Sequence, residues 1–189
     1  MGSEWFCLVL LRRMADYRPD DVADALRASG VSRTTMREVN AQWQRMLRSR
    51  SVGGTAGAYA IALGEPGERA SRTVGDLVVE VRRWALPLWP DLRFEIVLGS
   101  DGRVWQEWLV RADPATLPHV RAVADLRPWE FVVEDVARAF PGVRHVQGSA
   151  PSRWTSLVDE GGTTYRLHFV WGLLQEVARE GEPETTPVP

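Results

Sequence analysis

Five polar side chains recur at three- and four-residue steps late in the first quarter of the chain: Arg33, Arg37, Asn40, Gln44 and Arg48. On a helix that spacing lines them along one side. A guanidinium matches the O6 and N7 acceptors of guanine, and a carboxamide matches N6 and N7 of adenine. Ser32, Thr34 and Thr35 open the same segment, where hydroxyls and unbonded helix N–H groups suit phosphate oxygens. Arg45 and Arg48 add cations for the same backbone. The row thus has the side chains to engage duplex DNA, with Arg33, Arg37, Asn40 and Gln44 on bases and Ser32, Thr34, Thr35, Arg45 and Arg48 on phosphates. The same cationic face also suits an acidic protein partner.

Two elements must hold such a row. Met36, Val39, Trp43, Met46 and Leu47 repeat at helical spacing on the other side, so the segment is predicted as an amphipathic helix with Ser32 as N-cap. A helix before it opens at Pro19, carries Asp20 and Asp21 in its first turn, and buries Val22, Ala25 and Leu26. Gly30 supplies a left-handed stop. Residues 19–48 resemble a helix-turn-helix, and GVSRTTMREV (30–39) is similar to the turn and recognition helix of many bacterial regulators. The resemblance implies that the second helix enters the major groove.

Charge is placed accordingly. The 189 residues carry a net charge of −2, which excludes a broadly basic, nucleic-acid-coating protein. Residues 1–50 nevertheless hold nine Arg against six acids, and residues 27–50 hold six Arg against Glu38 alone. The positive charge therefore gathers where the motif lies. All 23 basic residues are Arg, so Arg abundance carries no information here and only Arg placement does.

Cys7 is the one cysteine, which excludes an internal disulfide and a multi-cysteine zinc cage. It falls inside an apolar run, Trp5 to Leu11, that is flanked by Glu4 and by Arg12 and Arg13, the wrong pattern for a secretory leader. No run reaches membrane-spanning length, so a cytoplasmic protein is expected.

In chain order, residues 4–15 read as a helix with Trp5, Leu8, Val9 and Leu11 inward. SVGGTAG (51–57) reads as a flexible connection, AYAIAL (58–63) as a strand and 64–72 as a loop. Residues 74–86 suggest a helix, followed by strands at 92–98 and 103–111 joined through Gly99–Gly102. A short helix is expected within 113–126, interrupted by Pro118. A further helix starts at Pro128 and stops at Pro141-Gly142. Strands follow at 143–147, 153–158 and 163–171, then a closing helix at 173–180 and a disordered polar tail, 181–189. The order helix, extended segment, hairpin appears twice, with 78–94 echoing 132–145. The fold class is α+β: an N-terminal three-helix head of helix-turn-helix character (1–50), joined by 51–57 to a body (58–180) with a mostly antiparallel sheet covered by helices, built from two α-β-β units.

Other chemistry finds little footing. His119, His145 and His168 have no ligand spacing, and no GxSxG, HExxH, CxxC or GxGxxG motif occurs. No cofactor or metal is expected, and catalysis has no candidate residues. Glu130, Glu134 and Asp135 read as a solvated acidic face. Seven tryptophans populate the body. They suit either a core with a homodimer contact, or an aromatic-lined pocket for a small molecule with Arg153, Arg166 or Gln106 as polar anchors. Trp105 and Trp108, three apart in a strand, cannot both face one side. A sequence-specific DNA-binding regulator is the leading expectation, and the alternatives are an assembly component docking on an acidic partner, or a small-molecule binder.

Overall fold

A computed structural model of the chain describes residues 2–116, 118–147 and 150–181. Four helices come first: α1 (Ser3–Met14), α2 (Pro19–Ala28), α3 (Arg33–Leu47) and α4 (Ala56–Leu63). α1 is buried on most sides, with Phe6 through Leu11 and Met14 all inside. It lies between α3 and the first sheet. The Phe6 ring meets Trp43 of α3 edge-on at 5.3 Å and Phe94 of the sheet at 4.7 Å. Trp5, expected inward, is instead 45% exposed.

Pro19 opens α2 as expected. Its end is a Schellman turn, with the Val31 N–H on the Leu26 carbonyl, the Gly30 N–H on the Arg27 carbonyl, and Gly30 at φ 66°. Residues 58–63, expected as a strand, belong to α4. Ala-rich sequence favours helix, and Thr55 caps it by accepting from the Gly57 N–H. The 51–57 connection is tied down, since Gly54 accepts from the Val104 N–H at 3.0 Å.

The first sheet is an antiparallel meander of β1 (Glu68–Val74), β2 (Leu77–Leu86), β3 (Trp89–Leu98) and β4 (Val104–Arg111), paired in chain order. Residues 74–86 are therefore not a helix, and 64–72 is only partly a loop. Valines 74, 78, 79 and 81 favour strand, and Gly75 (φ 58°) makes the turn of a hairpin. One face of the sheet puts Trp84, Leu86, Phe94, Ile96 and Leu109 into a core shared with the helices. The other face carries a small apolar cluster of Val79, Val81 and Val97. On that face Glu95, 1% exposed, takes Arg72 at 2.7 Å and Arg83 at 2.8 Å, so its buried charge is matched.

The second half contains a 3-10 turn (Val123–Asp125), α5 (Val133–Ala139), and a second meander: β5 (Arg144–Gln147), β6 (Arg153–Glu160), β7 (Thr163–Val170) and β8 (Leu173–Arg179). The helix expected within 113–126 is reduced to that turn, and α5 starts five residues after Pro128. Residues 173–180 form a strand rather than a helix. Their helix-favouring composition is overridden by pairing with β7, which buries Leu173, Leu174 and Gln175. Asp135 is not solvated, unlike exposed Glu130 and Glu134. It is 4% exposed, caps α5 through the Val132 N–H at 2.9 Å, and pairs with Arg111 of β4 at 2.8 Å. In each half one helix, α4 or α5, leads into four antiparallel strands. The echo between 78–94 and 132–145 sets a hairpin against a helix, and so is not the repeat. The tail beyond Gly181 lies outside the described residues.

The halves join at the β7–β8 turn. Trp171 (φ 52°) and Gly172 (φ 75°) take the two left-handed positions of a tight hairpin, and three of their backbone groups bond to both halves of the protein. The Trp171 N–H donates to Ser152, its carbonyl accepts from Leu109 of β4 at 2.7 Å, and the Gly172 carbonyl accepts from Val133 at the start of α5. The Trp171 ring enters the shared core against Phe94 at 6.2 Å. A further tie comes from the α1–α2 turn, where Asp16 pairs with Arg153 of β6 at 2.6 Å and Tyr17 stacks on His168 at 5.7 Å. Among the described residues no helix is long and apolar enough to cross a membrane.

Two stability predictions follow from this geometry. A Cβ at Gly172 would sit 2.8 Å from the Trp108 Cβ and 3.2 Å from the Leu109 carbonyl oxygen, at a φ that already disfavours it. Gly172→Ala should cost about 2 kcal/mol or more in urea unfolding, far beyond an ordinary surface change. Glu107 of β4 has a buried Oε2 with no partner, and desolvation raises its pKa from 4.5 to about 7. The folded state holds that proton more tightly than the unfolded chain. Its contribution is therefore intact below pH 4.5 and lost as pH rises through about 7. Glu107→Gln should flatten this slope, read as a smaller drop in urea midpoint than wild type between acidic and mildly alkaline buffer.

Candidate nucleic-acid interface

α3 turns Met36, Val39 and Trp43 into the core and leaves Met46 and Leu47 half-buried. Because α1 covers that side, the opposite side is free. Arg33, Thr34, Arg37, Arg45 and Arg48 are exposed, while Thr35, Asn40 and Gln44 are half-buried along its flank. The row expected from sequence spacing therefore exists as one continuous surface, with its two amides set lower than its guanidinium groups.

The charge around it is uncancelled. Three of the head's acids hold arginines from other helices or from the turn before α2: Asp16 with Arg12, Asp21 with Arg18, and Asp24 with Arg27. Among the described residues Arg33, Arg37, Arg45 and Arg48 make no ion pair, and Glu38 is the one acid on their helix. Four unpaired guanidinium groups on one helix give a concentrated positive field that salt screens only in part at short range.

The start of α3 is less available than its residue types suggest. Ser32 Oγ accepts from the Thr35 N–H at 3.0 Å, and the two hydroxyls lie 2.9 Å apart. Both are engaged in capping, so Thr34 keeps the one open hydroxyl of the three. The N–H groups of Arg33 and Thr34 have no acceptor within the helix, as helix geometry requires, and point outward.

The remaining candidates do not converge. His119 accepts from Arg121 Nε at 2.8 Å, His145 bonds Ser156 at 2.9 Å, and His168 stacks on Tyr17, at three separate places. No group of three His, Cys, Asp or Glu among the described residues could hold a metal. Burial pushes the Cys7 thiol up to about 11, which leaves it protonated and unreactive. Trp84, Trp89 and Trp171 are core residues, Trp108, Trp129 and Trp154 are half-buried, and Trp105 is half exposed. The expected polar anchors do not meet around them, since Arg153 is held by Asp16 and Arg166 lies 3.7 Å from Glu180.

A groove of about 290 Å³ between the first sheet and α5 went unnoticed in the sequence, because its residues are far apart in the chain. It contains Arg72, Arg83, Glu95, Trp108, Arg111 and His145. Each of its guanidinium groups already has a carboxylate: Arg72 and Arg83 share Glu95, Arg83 also holds Glu68, Arg111 holds Asp135, and Arg138 lies 3.6 Å from Glu134.

No family model and no curated protein matches the chain. One solved structure does: a proposed β-lactamase inhibitor protein from Streptococcus mutans, 11% identical, with 72% of this chain and 88% of that chain covered and a TM-score of 0.30. An overlap that poor carries no argument about fold or activity.

The cap gives the site's own stability test. Ser32→Ala removes the acceptor for the Thr35 N–H and should destabilise the protein by about 1 kcal/mol in chemical unfolding. Ser32→Asp should restore it.

Proposed function

We propose that the protein is a sequence-specific DNA-binding regulator that presents α3 to the major groove. The observation carrying this reading is the outward side of α3, where Arg33, Arg37, Arg45 and Arg48 stand exposed and, among the described residues, unpaired, while the same helix is fixed from behind by α1. Arg33 and Arg37 reach for guanine, and Asn40 and Gln44 for adenine at closer approach. Arg45, Arg48, the Thr34 hydroxyl and the free N–H groups at the start of α3 hold phosphates, with Ser32 and Thr35 shaping that end. A homodimer would set two such helices on successive half-sites one helical turn apart.

Affinity for a selected duplex should fall with salt at a log–log slope of roughly −2 per head from Arg45 and Arg48. Arg37→Ala should cost about 1–3 kcal/mol and relax choice at one base position, whereas Arg48→Ala should weaken all sequences alike and shrink the slope by about 1. A salt-series binding titration with a randomised duplex pool measures both. Affinity that stays in the non-specific range for every sequence rejects the reading.

One observation favours a second reading, an assembly component docking on an acidic protein. The amides and two of the hydroxyls are half-buried or engaged, so charge is the most accessible property of the surface. A stoichiometric protein partner captured without DNA, and lost in Arg37→Ala, would support it.

A further inference from the structure

A cleft of about 430 Å³ lies on the far side of α1 from its contact with Trp43 and opens to solvent. That volume is in the range of small-molecule sites. Its walls are Leu8 and Leu11 of α1, Val31 of the α2–α3 turn, and Pro87 and Leu88 of the β2–β3 turn. Glu4, Leu8 and Leu11 fall on one side of α1 by helical spacing, so a carboxylate stands at the end of an apolar stripe. Trp5, 45% exposed, borders the same opening.

The polar groups of the cleft are one-sided. Ser29 donates its hydroxyl to the Ala25 carbonyl, and Thr35 shares its own with Ser32. The Cys7 thiol on the floor is neutral. Among the described residues Glu4 makes no ion pair, and no cation lines the cleft. What is missing is an apolar body carrying a positive charge.

We propose that this cleft binds a small aromatic amine, its ring system between Leu8, Val31 and Leu88 and its ammonium group on the Glu4 carboxylate beside Trp5. Burial of the ring supplies affinity, and Glu4 with the electron-rich indole face selects the cation. The site can be tested apart from the DNA reading, because it shares only Thr35 with that surface, none of the guanidinium groups, and binding is measured without DNA.

The test is isothermal titration with two probes of one shape, 2-naphthylmethylamine and 2-naphthoate. The amine should bind about tenfold tighter than the carboxylate. Glu4→Gln, an exposed and conservative change, should erase most of that preference while leaving the weaker ring-driven binding. Leu88→Trp fills the cleft from a half-exposed turn and should abolish binding of both. No detectable binding of the amine, equal affinity for the two probes, or amine binding unchanged in both variants would overturn the proposal.

Discussion

A bulky residue held at positive φ is costly, about 1–3 kcal/mol, and survives only where its surroundings over-determine it. Trp171 meets that condition. Its ring is enclosed with Phe94 in the shared core, its backbone N–H and carbonyl are both taken, and Gly172 beside it presses against Trp108 too closely for any side chain. Burying an aromatic ring of this size contributes about 1.5–3 kcal/mol, enough to offset the backbone. The consequence is architectural. One hairpin turn of the second sheet becomes part of the first half's core, and so two four-stranded meanders that share no strand pairing are locked together.

The orientation of α3 descends from that joint. Phe94 touches Trp171 on one side and Phe6 of α1 on the other, and Phe6 in turn meets Trp43 of α3. A continuous chain of rings runs from the second sheet to the helix that carries the candidate interface. The Asp16–Arg153 pair fixes the far end of α1 to β6. With its apolar side committed to this stack, α3 has one side left, and the guanidinium row occupies it.

Some elements were legible in the sequence because one local signal dominated them. α2 and α3 announce themselves through Pro19, Gly30 and Ser32 together with a stripe at helical spacing, and the Gly99–Gly102 hairpin through its turn residues. Other elements carried competing signals. LLQEVAR is good helix sequence, yet it pairs with β7 because Trp171-Gly172 reverses the chain two residues earlier. LVVEVRRWAL fits a helical period and a strand period alike, and the Gly75 turn decides it. AYAIAL has the apolar run of a strand and the alanines of a helix. Asp135 looks like any surface acid until Arg111, far away in the chain, is seen to need it.

The sequence by itself determined the α+β composition, the helix pair with its turn and cap, and which side chains share a row on α3, because spacing along one helix is a local property. Tertiary structure alone decided that, among the described residues, no carboxylate pairs with the arginines of this row, that Ser32 and Thr35 spend their hydroxyls on each other, and that α1 with the β2–β3 turn lines a cleft beside Glu4. Each of these depends on which distant surfaces come to lie together. Burial and long-range pairing settle that, and no short window of sequence records it.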